Sequence, residues 1–170
     1  MNNISDNSLP LISIIMPNKN GMPYLKKSVE SVFAQTIKNF ELIVIDGCST
    51  DDSVDYLKSL NDSRIKILID SDLTGVMESR KKGVFKGKGD FIAFLDSDDI
   101  WMKTKLEEQI EFMKRMNTNF SYTNFSTIDH QDKLISTNKH FHEHINEKDF
   151  ASKRSILNSS VIIDNKILKK

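Results

Sequence analysis

The sequence predicts an α/β fold, with a mostly parallel central sheet flanked by helices. Two observations carry this. Short apolar runs alternate with amphipathic helical patterns as far as about Met113, and such alternation marks parallel strands joined by helical crossovers. The most hydrophobic run, Phe91-Ile92-Ala93-Phe94-Leu95, has no polar alternation, which suits a central strand buried on both faces.

The elements follow in order. Leu11 to Met16 reads as the first strand, followed by a loop, Pro17-Asn18-Lys19-Asn20-Gly21. A helix comes next, with Pro23 near its first turn, where proline is tolerated. Its apolar face is Leu25, Val29, Val32 and Phe33, spaced as one helical stripe. Phe40 to Ile45 is the second strand, and Ser49 or Thr50 is expected to cap a helix carrying Val54 and Leu57. A third strand, Ile65 to Ile69, precedes a weakly amphipathic helix from about Gly75 to Lys86. After the Phe91–Leu95 strand comes a strong helix with Leu106, Ile110 and Met113 on one side. Beyond Asn119 the pattern weakens. Phe120 to Thr123 and Ser160 to Ile163 read as strands, and the polar stretch between them reads as a loop.

The chain has 170 residues, enough for one domain with a real core. Its 24 lysines and arginines balance 24 aspartates and glutamates, which argues against a nucleic-acid binder and its usual basic excess. Cys48 is the single cysteine, so no internal disulfide forms; a lone thiol fits a reducing compartment. The first apolar run is too short to span a bilayer, and the amino terminus lacks a signal-peptide pattern. The cytoplasm is the default location.

Ligands of open α/β sheets bind outside the carboxyl ends of the strands. There the sequence places Asn18 and Asn20 after the first strand, Asp46 after the second, and Asp96 and Asp98 after the fourth. Asp96-Ser97-Asp98-Asp99 packs three carboxylates into four residues, a repulsive arrangement unless something positive joins it. A hard cation such as Mg2+ or Mn2+ takes oxygen ligands and can bridge carboxylates to a diphosphate. A helix cap would account for one or two of these residues, not for three abutting a buried strand.

Four segments in order carry a family resemblance: Ser13-Ile14-Ile15-Met16-Pro17-Asn18-Lys19-Asn20, Ser28 to Thr36, Phe40 to Asp51, and Gly89 to Trp101. From Ser13 to Met113 the chain resembles the amino-terminal half of the family 2 inverting glycosyltransferases with a GT-A fold. The resemblance implies a single GT-A-like (Rossmann-related) domain over 1–170, with a nucleotide-sugar-binding half at 1–118. It also implies the start of an acceptor-binding half at 119–170, truncated at its acceptor end. Pro17 and Asn18, with Asn20 beside them, match the base pocket of the donor, and Asp46 matches a carboxylate at the base or ribose. Glu78 matches an acidic position facing the nucleotide. Arg80 matches an arginine near the diphosphate, where a guanidinium fork suits phosphate oxygens. Asp96 and Ser97 would lie by the ribose and metal, and Asp98, with Asp96, would hold Mn2+ or Mg2+.

Blander readings stand beside these. Asp46 can simply cap a turn. Arg80 lies among Lys81, Lys82, Lys86 and Lys88 and reads equally well as one more solvated cation. Trp101 and the methionines at helical spacing read as core. His130, His140, His142 and His144 read as part of a solvated loop rather than a metal site.

The sequence departs from the family at two places. Lys19 stands where an aromatic ring often stacks on the base. The downstream general base, usually in a Glu-Asp pair, is not found. Ile156 to Asp164 resembles the segment leading to it, and the sequence stops at Lys170. Asp129, Asp132, Glu143, Glu147 and Asp149 offer substitutes among which spacing does not choose. The expected function is inverting transfer from a nucleotide sugar, by family habit a UDP-sugar, to a glycan or lipid-linked acceptor in bacterial surface polysaccharide synthesis. Its expected place is the cytoplasm at the inner membrane face, with peripheral membrane contact left open and no oligomeric state indicated. A donor-binding module without turnover and a nucleotidyltransferase are the alternatives. The nucleotidyltransferase would normally show a glycine-rich basic loop after its first strand, which Pro17 to Gly21 is not.

Overall fold

The computed structural model describes residues 10–72, 75–138 and 156–168. Strands β1 (Ile12–Asn18), β2 (Phe40–Asp46), β3 (Ile65–Ile69) and β4 (Phe91–Phe94) are mutually parallel. They are joined by helices α1 (Tyr24–Phe33), α2 (Ser53–Ser59) and α3 (Val76–Lys86), and α4 (Lys105–Met116) follows β4. Strand β5 (Phe120–Ser121) is short, β6 (Ser126–Ile128) and β7 (Leu134–Thr137) form a separate antiparallel pair, and β8 (Ile162–Asp164) leads into a single-turn helix α5 (Asn165–Leu168). The six-stranded sheet has the order β3-β2-β1-β4-β8-β5. β8, late in the sequence, is inserted antiparallel between β4 and β5. The two expected halves therefore share one sheet.

The sheet has two unequal apolar faces. Ile12, Ile14, Met16, Leu42, Val44, Ala93 and Leu95 join Leu25, Val29 and Val32 of α1, Leu57 of α2, and Leu106, Ile110 and Met113 of α4 in the main core. Trp101 belongs to this core, as expected of an aromatic at that spacing. The opposite face, Ile15, Ile43, Ile45 and Ile92, is smaller and packs with Val84 of α3. α3 approaches it closely because residue 83 is glycine: a Cβ there would lie 2.2 Å from Ile15 Cγ2. Alternation of side chains along a strand explains the split. It also explains the uninterrupted apolar runs, since both faces are covered.

Two local expectations change. The N-cap position of α2 falls on Asp52, without a side-chain capping bond, and not on Ser49 or Thr50; the Ser49 hydroxyl is instead engaged with Asp46 and the Asn20 amide. The polar stretch after β5 is partly ordered as the β6–β7 pair, whose connecting turn is organised by Asp129 accepting from the amides of Gln131 and Lys133. α4 ends where Asn117 turns left-handed at φ 49°, a common helix stop.

Candidate functional site

Parallel pairing brings the carboxyl ends of β1, β2 and β4 to one rim. Asn18 and Asp46 are direct partners across β1 and β2. The β1–β4 ladder ends at Ile15 and Phe94, so Pro17 lies past it and its missing N–H leaves no gap in that ladder. Asn18 Nδ2 donates to Asp46 Oδ2 at 2.7 Å and to Ser49 Oγ at 3.2 Å. Asp46 also accepts from the Ser49 backbone at 2.8 Å and from the Ser49 hydroxyl at 2.7 Å. Ser49 Oγ in turn accepts the Asn20 N–H at 2.8 Å, and Asn20 Oδ1 accepts the Thr50 N–H at 2.7 Å. Asp46 is wholly buried. Its carboxylate ties the loops after β1 and β2 together, and Asn18 and Asn20 are held through it.

One polar atom of this cluster is unmet: Asn18 Oδ1 is buried without a hydrogen-bond partner. It sits against Gly21, where a Cβ would come within 2.2 Å of it and 3.3 Å of Ser97 Oγ. The absence of a side chain at residue 21 lets Asn18 and Ser97 draw near each other.

The second part of the rim is the acidic loop after β4. Arg80 of α3 donates through Nη2 to Asp96 Oδ1 at 2.6 Å. The Arg80 side chain is 10% exposed and that of Asp96 26%, so Arg80 is no solvated surface cation; its Nε is buried and unpartnered. The Asp96 amide donates to Ser159 Oγ at 2.9 Å, and that hydroxyl donates to Asp99 Oδ2. Burial pushes the Asp99 carboxyl up, the Ser159 hydrogen bond pulls it partly back, and Asp98 and Asp96 add repulsion. Asp98 is exposed and forms no hydrogen bond or ion pair with a described residue. The Ser97 carbonyl is anchored by the Ser28 hydroxyl at 2.8 Å.

Of the expected site residues, Pro17, Asn18, Asn20, Asp46, Arg80, Asp96, Ser97 and Asp98 therefore occupy one rim. Glu78 is half-buried in the first turn of α3, and its charge acts on Lys82; no hydrogen bond joins it to this cluster among the described residues. Ser49 and Ser159 were not singled out from sequence. Ser49 follows Asp46 at a turn-forming spacing, a signal present but read as a helix cap. Ser159 has no local signal in Asn158-Ser159-Ser160.

Among the described residues no group of three or more His, Cys, Asp or Glu side chains is arranged to hold a metal ion. The donor chemistry nevertheless fits a hard divalent cation. Asp98 offers an uncommitted carboxylate and Asp96 stands two residues away, and such ions often take one or two carboxylates and complete their shell with water and phosphate oxygens. The substitute bases Asp129 and Asp132 are committed elsewhere. Asp129 organises the β6–β7 turn, and Asp132 forms an ion pair with Lys27 of α1 at 2.7 Å. His130 lies in that turn and is exposed, as a solvated loop residue would be, while His140, His142, His144, Glu143, Glu147 and Asp149 lie outside the described residues.

The architecture has close counterparts among solved structures. S. aureus TarS, residues 1–349, in complex with UDP superposes with a TM-score of 0.72 at 20% identity, covering 93% of this chain and 48% of that one. The Pyrobaculum calidifontis mannosyltransferase PcManGT, in complex with GDP-Man and Mn2+, gives 0.69 at 12% identity, covering 94% and 46%. The fold is that of the GT-A transferases. Sequence relatives narrow this. A UDP-Glc:alpha-D-GlcNAc-diphosphoundecaprenol beta-1,3-glucosyltransferase of Escherichia coli, WfgD, is 42% identical over 118 residues, 69% of this chain and 47% of the relative. The Bacillus subtilis protein TuaG, named for teichuronic acid biosynthesis, is 39% identical over 121 residues, 70% and 48%. Glycosyl transferase family 2 matches residues 13–168, and the chain belongs to that family. It spans about half the length of these relatives.

Proposed function

We propose that this chain forms the donor-binding half of a glycosyltransferase that moves a sugar, with inversion, from a UDP-sugar to a lipid-linked or glycan acceptor in bacterial surface polysaccharide synthesis. One observation supports it above the others: the Asn18–Asp46–Ser49 cluster, the Arg80–Asp96 pair and the free carboxylate of Asp98 stand on a single strand-end rim. A UDP-sugar needs polar groups for its nucleoside and compensation for its diphosphate charge, and this rim offers both.

In this reading Asn18 and Asn20, with Pro17 beside them, line the nucleoside pocket, and Asp46 keeps that pocket in shape from beneath. Asp98 and Asp96 would hold Mn2+ or Mg2+. Bound there, the cation offsets negative charge on the departing diphosphate. Arg80 adds a fixed positive charge beside the same loop, and Glu78, in the first turn of α3, is read as facing the nucleotide. The acceptor hydroxyl must also lose a proton to a positioned carboxylate. The Asp129 carboxylate is engaged in the β6–β7 turn and that of Asp132 in an ion pair with Lys27 of α1, which favours a second reading: a donor-binding module without turnover of its own. A lipid-linked acceptor, as in the name of the Escherichia coli relative, would bring the chain to the cytoplasmic face of a membrane, although no helix among the described residues is long and apolar enough to cross one.

The test is calorimetric titration of UDP and UDP-sugars with and without Mn2+, followed by a donor-hydrolysis assay. Metal-dependent binding with hydrolysis supports the transferase. Metal-dependent binding alone supports the donor-binding reading. Absence of binding under both conditions overturns the proposal.

A further inference from the structure

We propose that Ser159 is the positioning residue of the acidic loop, and that it divides the labour among the three carboxylates. The inference rests on the donor-site reading above for its metal readout, and on geometry alone for its structural part. Ser159 is 4% exposed and lies in the 3-10 turn, Asn158–Ser160, that precedes β8. Three of its groups' bonds converge on the loop after β4. Its hydroxyl accepts the Asp96 N–H at 2.9 Å, the same hydroxyl donates to Asp99 Oδ2, and its carbonyl accepts Trp101 Nε1–H at 2.7 Å.

A hydroxyl can donate once and accept from others, so Ser159 uses both capacities on residues 96 and 99 together. That spans the loop and fixes its two ends. Asp99 is drawn inward and Asp96 is held by Arg80, leaving Asp98 as the carboxylate facing outward. The turn itself is fastened from the other side, where Gln109 Nε2 of α4 donates to the Ser160 carbonyl at 3.1 Å and to Ser121 Oγ at 2.9 Å. Ser159 thus reaches residues 58 to 63 positions away in sequence, joining the β8 end of the sheet to the loop proposed to hold the cation. Groups that orient ligands from behind typically alter metal affinity when removed.

The experiment compares the full chain with Ser159→Ala, which removes the hydroxyl, and Ser159→Cys, which keeps the volume but bonds weakly. Two readouts are taken: amide hydrogen exchange at Asp96, and UDP affinity with and without Mn2+. Both variants should lose protection at Asp96, by about tenfold for one lost hydrogen bond. Both should lose about 10- to 100-fold in Mn2+-dependent UDP affinity, with metal-free UDP affinity unchanged. A parental Asp96 exchange rate in Ser159→Ala overturns the proposal. So does parental behaviour of Ser159→Cys, because packing rather than hydrogen bonding would then explain the turn. If the parent binds no UDP with Mn2+, the donor-site reading fails, and the exchange rate alone decides the role of Ser159.

Discussion

The guanidinium of Arg80 meets the carboxylate of Asp96 at 2.6 Å, joining α3 to the end of β4 across the face of the sheet. Arg80→Ala would leave Asp96 partly buried without its partner. The expected loss is about 1–3 kcal/mol of folding stability, since Asp96 keeps some contact with water. Donor affinity should fall with it. Urea unfolding and UDP titration of the variant check both, and unchanged affinity would reduce the pair to a structural clasp.

Asp98→Ala tests the opposite situation, a carboxylate with no hydrogen-bond or ion-pair partner among the described residues. Removing it relieves repulsion in the loop rather than breaking a bond, so the thermal midpoint should hold or rise slightly. Mn2+-dependent UDP binding should disappear. Calorimetry showing equal affinity in the variant and parent would remove Asp98 from the metal site.

Asp46→Ala should behave differently from both. Its carboxylate accepts three hydrogen bonds in full burial, so the variant should lose about 2–4 kcal/mol and bind UDP more weakly with or without metal. A fold of undiminished stability in urea would show that the loops after β1 and β2 do not depend on it.

Gly83→Ala separates packing from propensity. Helix propensity alone favours alanine by about 1 kcal/mol, yet the new methyl group would sit 2.2 Å from Ile15 Cγ2 in the core. Overpacking should win, with a net loss of about 1–3 kcal/mol and unaltered UDP affinity in the folded fraction. A stabilised variant would mean that α3 can move away from the sheet at little cost.

Lys105 gives the chain a pH signature. Burial lowers its amine to about 7, with the Trp101 ring 4.4 Å from Nζ and Gln109 Oε1 as its neighbours. Between about pH 7 and 10.5 the unfolded chain holds a proton there that the folded chain has released, so stability rises with pH across that window. The slope approaches about 1.4 kcal/mol per pH unit for one proton. Lys105→Met should be the more stable form near pH 6.5, and its advantage should shrink by pH 9.5, as read from urea unfolding at the two pH values. A constant gap would show that Lys105 stays protonated in the fold.

The strands and helices up to Met116 were legible in sequence because hydrophobic period and burial largely coincide there: β1, β2 and β4 are core strands, and β3, at the sheet edge, is partly buried. The extension of β1 to Asn18 was not, because only its pairing with Asp46 makes those polar residues part of the ladder. The β6–β7 pair was missed for the converse reason. All its residues are exposed, so nothing forces an alternation of apolar and polar side chains. In the site, acidic residues at strand ends were visible from spacing alone. Whether Arg80 was a buried partner or a solvated cation was not, because that depends on how far α3 sinks onto the sheet, and a glycine at 83 decides it. Ser159 depends on a contact sixty residues away in sequence, which no local pattern encodes.

The place of β8 in the sheet has a consequence for biosynthesis. A nascent chain emerges from the ribosome in sequence order, so β4 and the acidic loop are made well before the residues that flank and fasten them. Until Ser159 and Ile162 to Asp164 have been synthesised, the outer edge of β4 is unpaired and the Asp96 amide lacks its acceptor. The donor rim is then assembled in the wrong tense for translation: its chemistry is written first, and its clasp arrives 63 residues later.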